Sequence, residues 1–193
     1  VMFHPMKMHH TSYILTPSIE KRLSKGYCGR KEKKQLPIRD RAAGSVYSNV
    51  RDMSRFMQAA LNQGRTPDQR IIGSKTLSMM TRPQSEGLPL DFGFQMGLGW
   101  CLDGFPVAGA QKVIWHNGGT FLFNSHMAIL PEKKLGVVVL SNSAQGGDIV
   151  GEISAKALEL ALEAKYGLNP APTAANEEKK ERGFTPSWSA KLV

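Results

Sequence analysis

The chain has 193 residues, 41% of them apolar and 21% charged, with a formal net charge of +9 at neutral pH. This is the size and balance of one globular domain or a large piece of one. No apolar run approaches the roughly 18–20 residues of a membrane span, and two cysteines, Cys28 and Cys101, exclude a disulfide scaffold and a cysteine-based metal site.

The chain opens at Val1 with no charged segment followed by an apolar run, so no secretory leader is visible, and Val1-Met2-Phe3-His4-Pro5 reads as the middle of a structure. Pro5, Pro17, Gly26, Gly29 and Pro37 punctuate residues 1–47 too often for long regular elements. One short helix is expected after Thr16, with Thr16 as cap and Pro17 at its first position. Lys21 to Arg41 concentrates the positive charge: Lys21, Arg22, Lys25, Arg30, Lys31, Lys33, Lys34, Arg39 and Arg41 face only Glu32 and Asp40. Such a patch suits nucleic acid or anionic envelope polymers. With Tyr27 as its single aromatic and no nucleic-acid motif, it is read as a solvated loop, and nucleic acid is not an expected partner.

Ser48 or Asn49 caps the clearest helix, with Asp52 in its first turn where the helix dipole favours negative charge. Met53, Phe56, Met57, Ala60 and Leu61 form its apolar face, and Gly64 stops it. A second helix is expected over Ser74–Met80. From Gly97 the apolar period changes to that of strands, at residues 98–102, 112–115, 125–130 and 135–140, the last two joined by a tight Pro131-Glu132-Lys133-Lys134 connection as a hairpin. A long helix then runs from Ile149 to Tyr166, with Ile153, Ala157, Leu160, Ala161 and Ala164 as its expected apolar face. Residues 1–168 are the expected domain. Residues 169–193, rich in Pro and then in Glu and Lys, are the expected linker or disordered tail.

Trp115-His116-Asn117-Gly118-Gly119-Thr120 is the most informative segment. A polar residue at a strand end followed by two glycines lets a ligand approach the backbone and leaves amide N–H groups free to stabilise an oxyanion. A hairpin turn with a chance histidine is the competing reading of the same residues.

The order His-x-Gly-Gly, strand, Leu130-Pro131-Glu132-x-Lys134-Leu135-Gly136-Val137-Val138-Val139-Leu140-Ser141-Asn142, then a long helix resembles the C-terminal third of serine β-lactamases and penicillin-binding proteins of the class C type. That family includes esterases, D-aminopeptidases and D-alanyl-D-alanine carboxypeptidases. Pro5-Met6-Lys7-Met8 with Thr11-Ser12 is similar to the family's Pro-Leu-Gly-Met segment, Met6 and Lys7 departing from it. Ala43-Gly44-Ser45-Val46-Tyr47-Ser48 with Asp52 and Phe56, and Gly97-Leu98-Gly99-Trp100, are similar to two further segments in the family's order.

The resemblance implies an α+β fold, an antiparallel sheet flanked by helices, present here in part. It implies that His116 assists proton transfer or orients a substrate carboxylate and that the Gly119 N–H helps bind an oxyanion. Asn117, Gly118 and Asn142 would line the substrate side. The family attacks with a Ser in Ser-x-x-Lys, followed by Tyr-x-Asn, and both precede the segment at which this chain opens. Ser18-Ile19-Glu20-Lys21 and Tyr47-Ser48-Asn49 fit these patterns literally but stand in the wrong order and surroundings, and neither is taken as catalytic. His4, His9, His10 and His126 lack zinc-site spacing, so no metal and no cofactor is expected.

The expected activity is that of part of a serine hydrolase working through an acyl-enzyme on an ester, amide or β-lactam, the chain alone being inactive. The alternative is a non-catalytic remnant that binds peptidoglycan-type ligands. Expected partners are a small-molecule or peptide acyl substrate and the remaining N-terminal part of the same protein. The resemblance alone points to a periplasmic or extracytoplasmic location. A sheet without its neighbours leaves an open edge, so the chain by itself is expected to be poorly stable or associated.

Overall fold

The computed structural model describes residues 2–36, 38–85, 87 and 95–168. The expected tail, residues 169–193, lies outside the described residues. The centre is a three-stranded antiparallel sheet in the order β3 (Ile114–Gly119), β4 (Asn124–Leu130), β5 (Leu135–Ser141). Helices α1 (Pro17–Glu20), α2 (Arg41–Gly44), α3 (Val50–Leu61) and α4 (Ser74–Met80) precede it, α5 (Gly147–Tyr166) follows it, and a small hairpin of β1 (Gly26–Cys28) and β2 (Lys31–Lys33) stands beside its far end. The α+β antiparallel architecture is the one expected.

Strand β4 carries the core on both faces. Ala128 and Leu130 pack with Leu158 and Leu162 of α5, while Ile129 packs with Met57 of α3, Trp100 and Ile114. Period-2 alternation sends even and odd positions to opposite faces. Both faces are apolar here because a helix covers each. The turn between β4 and β5 is one 3-10 turn, Pro131–Lys133, closed by Lys134 in the left-handed region at φ 47°. It sets the register Leu130↔Leu135 through Asn124↔Ser141.

Helix α3 begins as expected: the Asn49 carboxamide oxygen accepts the Asp52 N–H at 2.9 Å. Asp52 itself is wholly buried. Its carboxylate accepts the His10 N–H at 2.8 Å and the Thr11 hydroxyl at 2.9 Å, and pairs with Arg55 at 3.0 Å. This hub ties residues 2–12 to α3, and Met6 and Met8 bury against Ala59 and Met53 beside it. Gly64, at φ +81°, turns the chain where a Cβ would meet the Ile72 carbonyl oxygen at 2.1 Å.

Three expectations are corrected. Residues 98–102 form no strand: Gly99 takes φ +73°, Gly97 N–H bonds the Trp100 carbonyl, and only Cys101 pairs, through isolated bridges to Met96 and Trp115. The glycine turn outweighs the apolar alternation. The Lys21–Arg41 segment is not merely a loop; it contains β1, β2 and the start of α2. Its hairpin is pinned by Tyr27, which donates to the Asn142 carbonyl at 2.9 Å and accepts from Ala144 at 2.8 Å. On α5 the buried residues are Val150, Ser154, Leu158 and Leu162, whereas Ile153 and Leu160 of the expected face stay exposed. Both stripes have helical spacing, and only the sheet selects between them. Cys28 and Cys101 are both free.

Removing the Asp52 carboxylate strands the His10 N–H, the Thr11 hydroxyl and Arg55 together. Asp52→Ala is expected to cost about 3 kcal/mol of stability, measured as a lowered denaturant midpoint. A midpoint unchanged from the parent would show that residues 2–12 are not held through this hub.

Candidate active site

Strand β3 leads out of the core. Ile114 is buried, Trp115 half-buried, and His116, Asn117, Gly118 and Gly119 are exposed. Trp115 both donates to and accepts from Cys101 on the side away from β4, at 3.0 and 2.8 Å. Backbone polar groups alternate sides along an antiparallel strand. The N–H and C=O groups of Asn117 and Gly119 therefore face the outer edge, as those of Trp115 do. Beyond the Cys101 bridge, no strand among the described residues covers that edge. The Gly119 N–H therefore points to that uncovered edge.

The side chains divide the other way. His116 is paired with Met127 and Gly118 with Ser125, while Asn117 is paired with His126 and Gly119 with Asn124. Cross-strand partners share a face, so His116 projects on the α3 face of the sheet with Met127, which packs in the α3-facing core. Its Nδ1 contacts the Asn117 carbonyl oxygen. Gly118 has a steric reason: a Cβ there would lie 2.5 Å from the Ser125 hydroxyl. Asn142 follows β5 at the same end of the sheet, since Gly119, Asn124 and Ser141 are register neighbours. Its side-chain amide donates to the Lys25 carbonyl at 2.8 Å. It thus fastens the β1–β2 hairpin to this end of the sheet.

A recess of about 390 Å³ opens beside Gly119, lined by Ile38, Gly44, Thr120 and Phe121 as well. The Thr120 hydroxyl reaches Gln35 at 3.4 Å. None of Ile38, Gly44 or Phe121 is a site residue expected from the sequence, Gly44 standing only in a segment that carries the family resemblance. The one available signal was Phe121, a large apolar residue in a Gly-Gly-Thr turn, which stays 68% exposed. A larger recess, about 580 Å³, lies at the other end of the sheet, near Ile114, Pro131 and Lys134, away from the histidine and glycines.

The two pattern matches fall elsewhere. Ser18 lies in α1, a single turn with no buried residue, and Lys21 beyond it is exposed. Tyr47 exchanges backbone hydrogen bonds with Ser12. Among the described residues no group of three or more His, Cys, Asp or Glu side chains gathers as a metal site would need.

His126 sits behind the strand. It is 3% exposed, stacked on Trp115 at 5.2 Å and against Phe105 at 4.4 Å, and neither ring nitrogen has a hydrogen-bond partner among the described residues. Burial, with a smaller push from His116, lowers its pKa from 6.5 to about 4.

The β-lactamase family profile matches residues 1–161. The chain belongs to the β-lactamase family. It is 27% identical over 170 residues to a β-lactamase of Escherichia coli (strain K12), covering 73% of this chain and 44% of that protein. It is 26% identical over 171 residues to a β-lactamase of Yersinia enterocolitica, covering 73% of this chain and 43% of the relative. The chain therefore spans less than half the length of these curated relatives. An octameric penicillin-binding protein homologue from Pyrococcus abyssi shares the fold, with a TM-score of 0.62 and 23% identity over 83% of this chain and 36% of that one. This β-lactamase-family chain is a mixed helix and antiparallel-sheet structure of the penicillin-binding-protein type.

A base whose pKa is lowered on folding stabilises the fold fully above its unfolded value, and loses that stability as pH falls through the folded one. His126 is expected to cost the fold roughly 3 kcal/mol between pH 6.5 and about 4. Melting temperatures across this window should fall less steeply for His126→Phe than for the parent. Parallel curves would show that His126 is not buried neutral.

Proposed function

We propose that this chain forms the far wall of an acyl-transfer site in a serine hydrolase acting on an ester, amide or β-lactam. The nucleophilic Ser-x-x-Lys would come from a part of the protein outside this sequence. One observation carries the reading: the Gly119 N–H stands on the uncovered edge of β3, next to a recess, on a strand that also presents His116. The chain's coverage of less than half of its relatives supports the nucleophile's lying elsewhere.

In such a reaction the serine oxygen bonds to the substrate's carbonyl carbon and the carbonyl oxygen becomes an oxyanion. Collapse expels the leaving group, which takes up a proton, and water then releases the acid and restores the serine. The Gly119 N–H would meet the oxyanion, and His116 would orient substrate or assist the proton on the leaving group. Gly118 keeps the strand thin enough for substrate to lie along it, and Asn142 holds the adjoining hairpin.

In the full-length protein, Gly119→Pro is expected to lower turnover by about 10²–10³. Proline removes an N–H that makes no ladder bond to β4, so the fold should be retained. His116→Ala should also lower turnover with the melting temperature unchanged. A serine-reactive fluorophosphonate should label the full-length protein covalently. Absence of labelling, with reversible binding of a peptidoglycan peptide retained, would replace the hydrolase with a binding module.

A further inference from the structure

The basic segment, read from sequence as a solvated loop, is folded against the candidate site. In the β1–β2 hairpin Gly26 pairs with Lys33 and Cys28 with Lys31, so these four residues share one face. That face abuts the β3–β4 turn: a Cβ on Gly26 would lie 2.8 Å from Leu122, three residues after Gly119. Cys28, on the same face, lies 3.6 Å from the Gln145 amide, which also receives the Gly29 N–H on its oxygen. Lys31 and Lys33 therefore emerge on the side of the hairpin that looks to the turn carrying Gly119.

Both are exposed, and among the described residues neither makes an ion pair. The one acid of the hairpin, Glu32, lies on the opposite face and is paired with Lys25 at 2.8 Å. After the hairpin the chain passes Gln35, which touches Thr120, and Ile38 lines the recess together with Phe121. An apolar recess thus adjoins the Gly119 N–H, and Lys33, the cross-strand partner of Gly26, belongs to the hairpin face that abuts Leu122, next to Phe121 of the recess wall.

Resting on the acyl-transfer reading, we propose that Lys31 and Lys33 form a cationic rim selecting acyl substrates with a negative charge at the end remote from the reacting carbonyl. An apolar stretch between carbonyl and charge would fill the recess lined by Ile38 and Phe121. The cations act at long range, raising encounter with anionic substrates and holding the remote charge, while the neutral part of the substrate is read by the recess.

Two esters of equal acyl length test this on the full-length protein: p-nitrophenyl hexanoate, which is neutral, and mono-p-nitrophenyl adipate, which is anionic. The expected result is a higher kcat/KM for the adipate ester that declines with added salt. In Lys31→Glu/Lys33→Glu that preference should fall about tenfold, with hexanoate turnover unchanged. Lys75→Glu/Lys134→Glu, with the same change in net charge at the other end of the sheet, should keep it. An equal preference in the parent and the hairpin variant, or an equal loss in both variants, would overturn the rim.

Binding of the monoamide of adipic acid, followed by NMR shifts of the Gly119 and Phe121 amides before any turnover, separates the rim from the chemistry. If neither ester is hydrolysed but the monoamide binds the parent and not the hairpin variant, the acyl-transfer reading fails and the rim stands. If the monoamide binds both alike, or shifts neither amide, the rim fails. Displacement of the monoamide by a short DNA oligonucleotide at far lower concentration would make the hairpin a nucleic-acid surface and overturn the proposal.

Discussion

A single strand buried on both faces holds this molecule in register. Ala128, Ile129 and Leu130 of β4 are almost wholly inaccessible, with α5 on one side and α3 on the other. Slipping the strand by one residue would exchange the two faces and place His126 among the α3 contacts. Everything at the candidate site inherits this constraint. The pairing of β3 with β4 decides which backbone groups of β3 are consumed and which face outward, and the Cys101 bridge confirms the parity at Trp115. The orientation of the Gly119 N–H follows from hydrophobic packing several residues away, not from any feature of the Gly-Gly pair.

Around this centre the chain uses polar anchors where apolar burial is thin. Asp52 gathers residues 2–12, and Asn142 with Tyr27 gathers the hairpin. The two anchors differ in kind. Asp52 is a buried carboxylate with three partners, strong because water is excluded. Asn142 is exposed, and its side chain supplements a backbone pairing that Tyr27 already makes. The hairpin is therefore the softer element, and it is the one that stands beside the recess. His126 is buried like Asp52 but, among the described residues, has no hydrogen-bond anchor. It is tolerated because Trp115 and Phe105 enclose a neutral ring, at the expense of stability in acid.

The exposed apolar stripe of α5 shows how amphipathicity can be ambiguous. Ile149, Ile153 and Leu160 have the spacing of a buried face yet remain open to solvent, while the stripe through Leu158 and Leu162 meets the sheet. Among the described residues, α5 docks on one face of the three-stranded sheet. A helix with two apolar stripes satisfies one of them there.

The sequence by itself determined the β4–β5 hairpin, helices α3 and α4 and the extent of α5. Each is local: turn residues, caps and apolar periods act over distances of a few residues. The sequence ended a strand at residue 115, just before His-Asn-Gly-Gly, whereas β3 runs Ile114–Gly119 and contains that segment. It also carried the family, because several weak motifs kept their order along the chain. Tertiary structure decided the rest. Gly99 turned a strand-like pattern into a loop, since backbone conformation at one glycine outranks alternation around it. The face of α5 was chosen by the sheet it met. The basic segment became a hairpin at the rim of a recess because Asn142, Leu122 and Gln145, more than ninety residues away in sequence, supply its contacts. No local rule reports such a neighbour, and the candidate site depends on it.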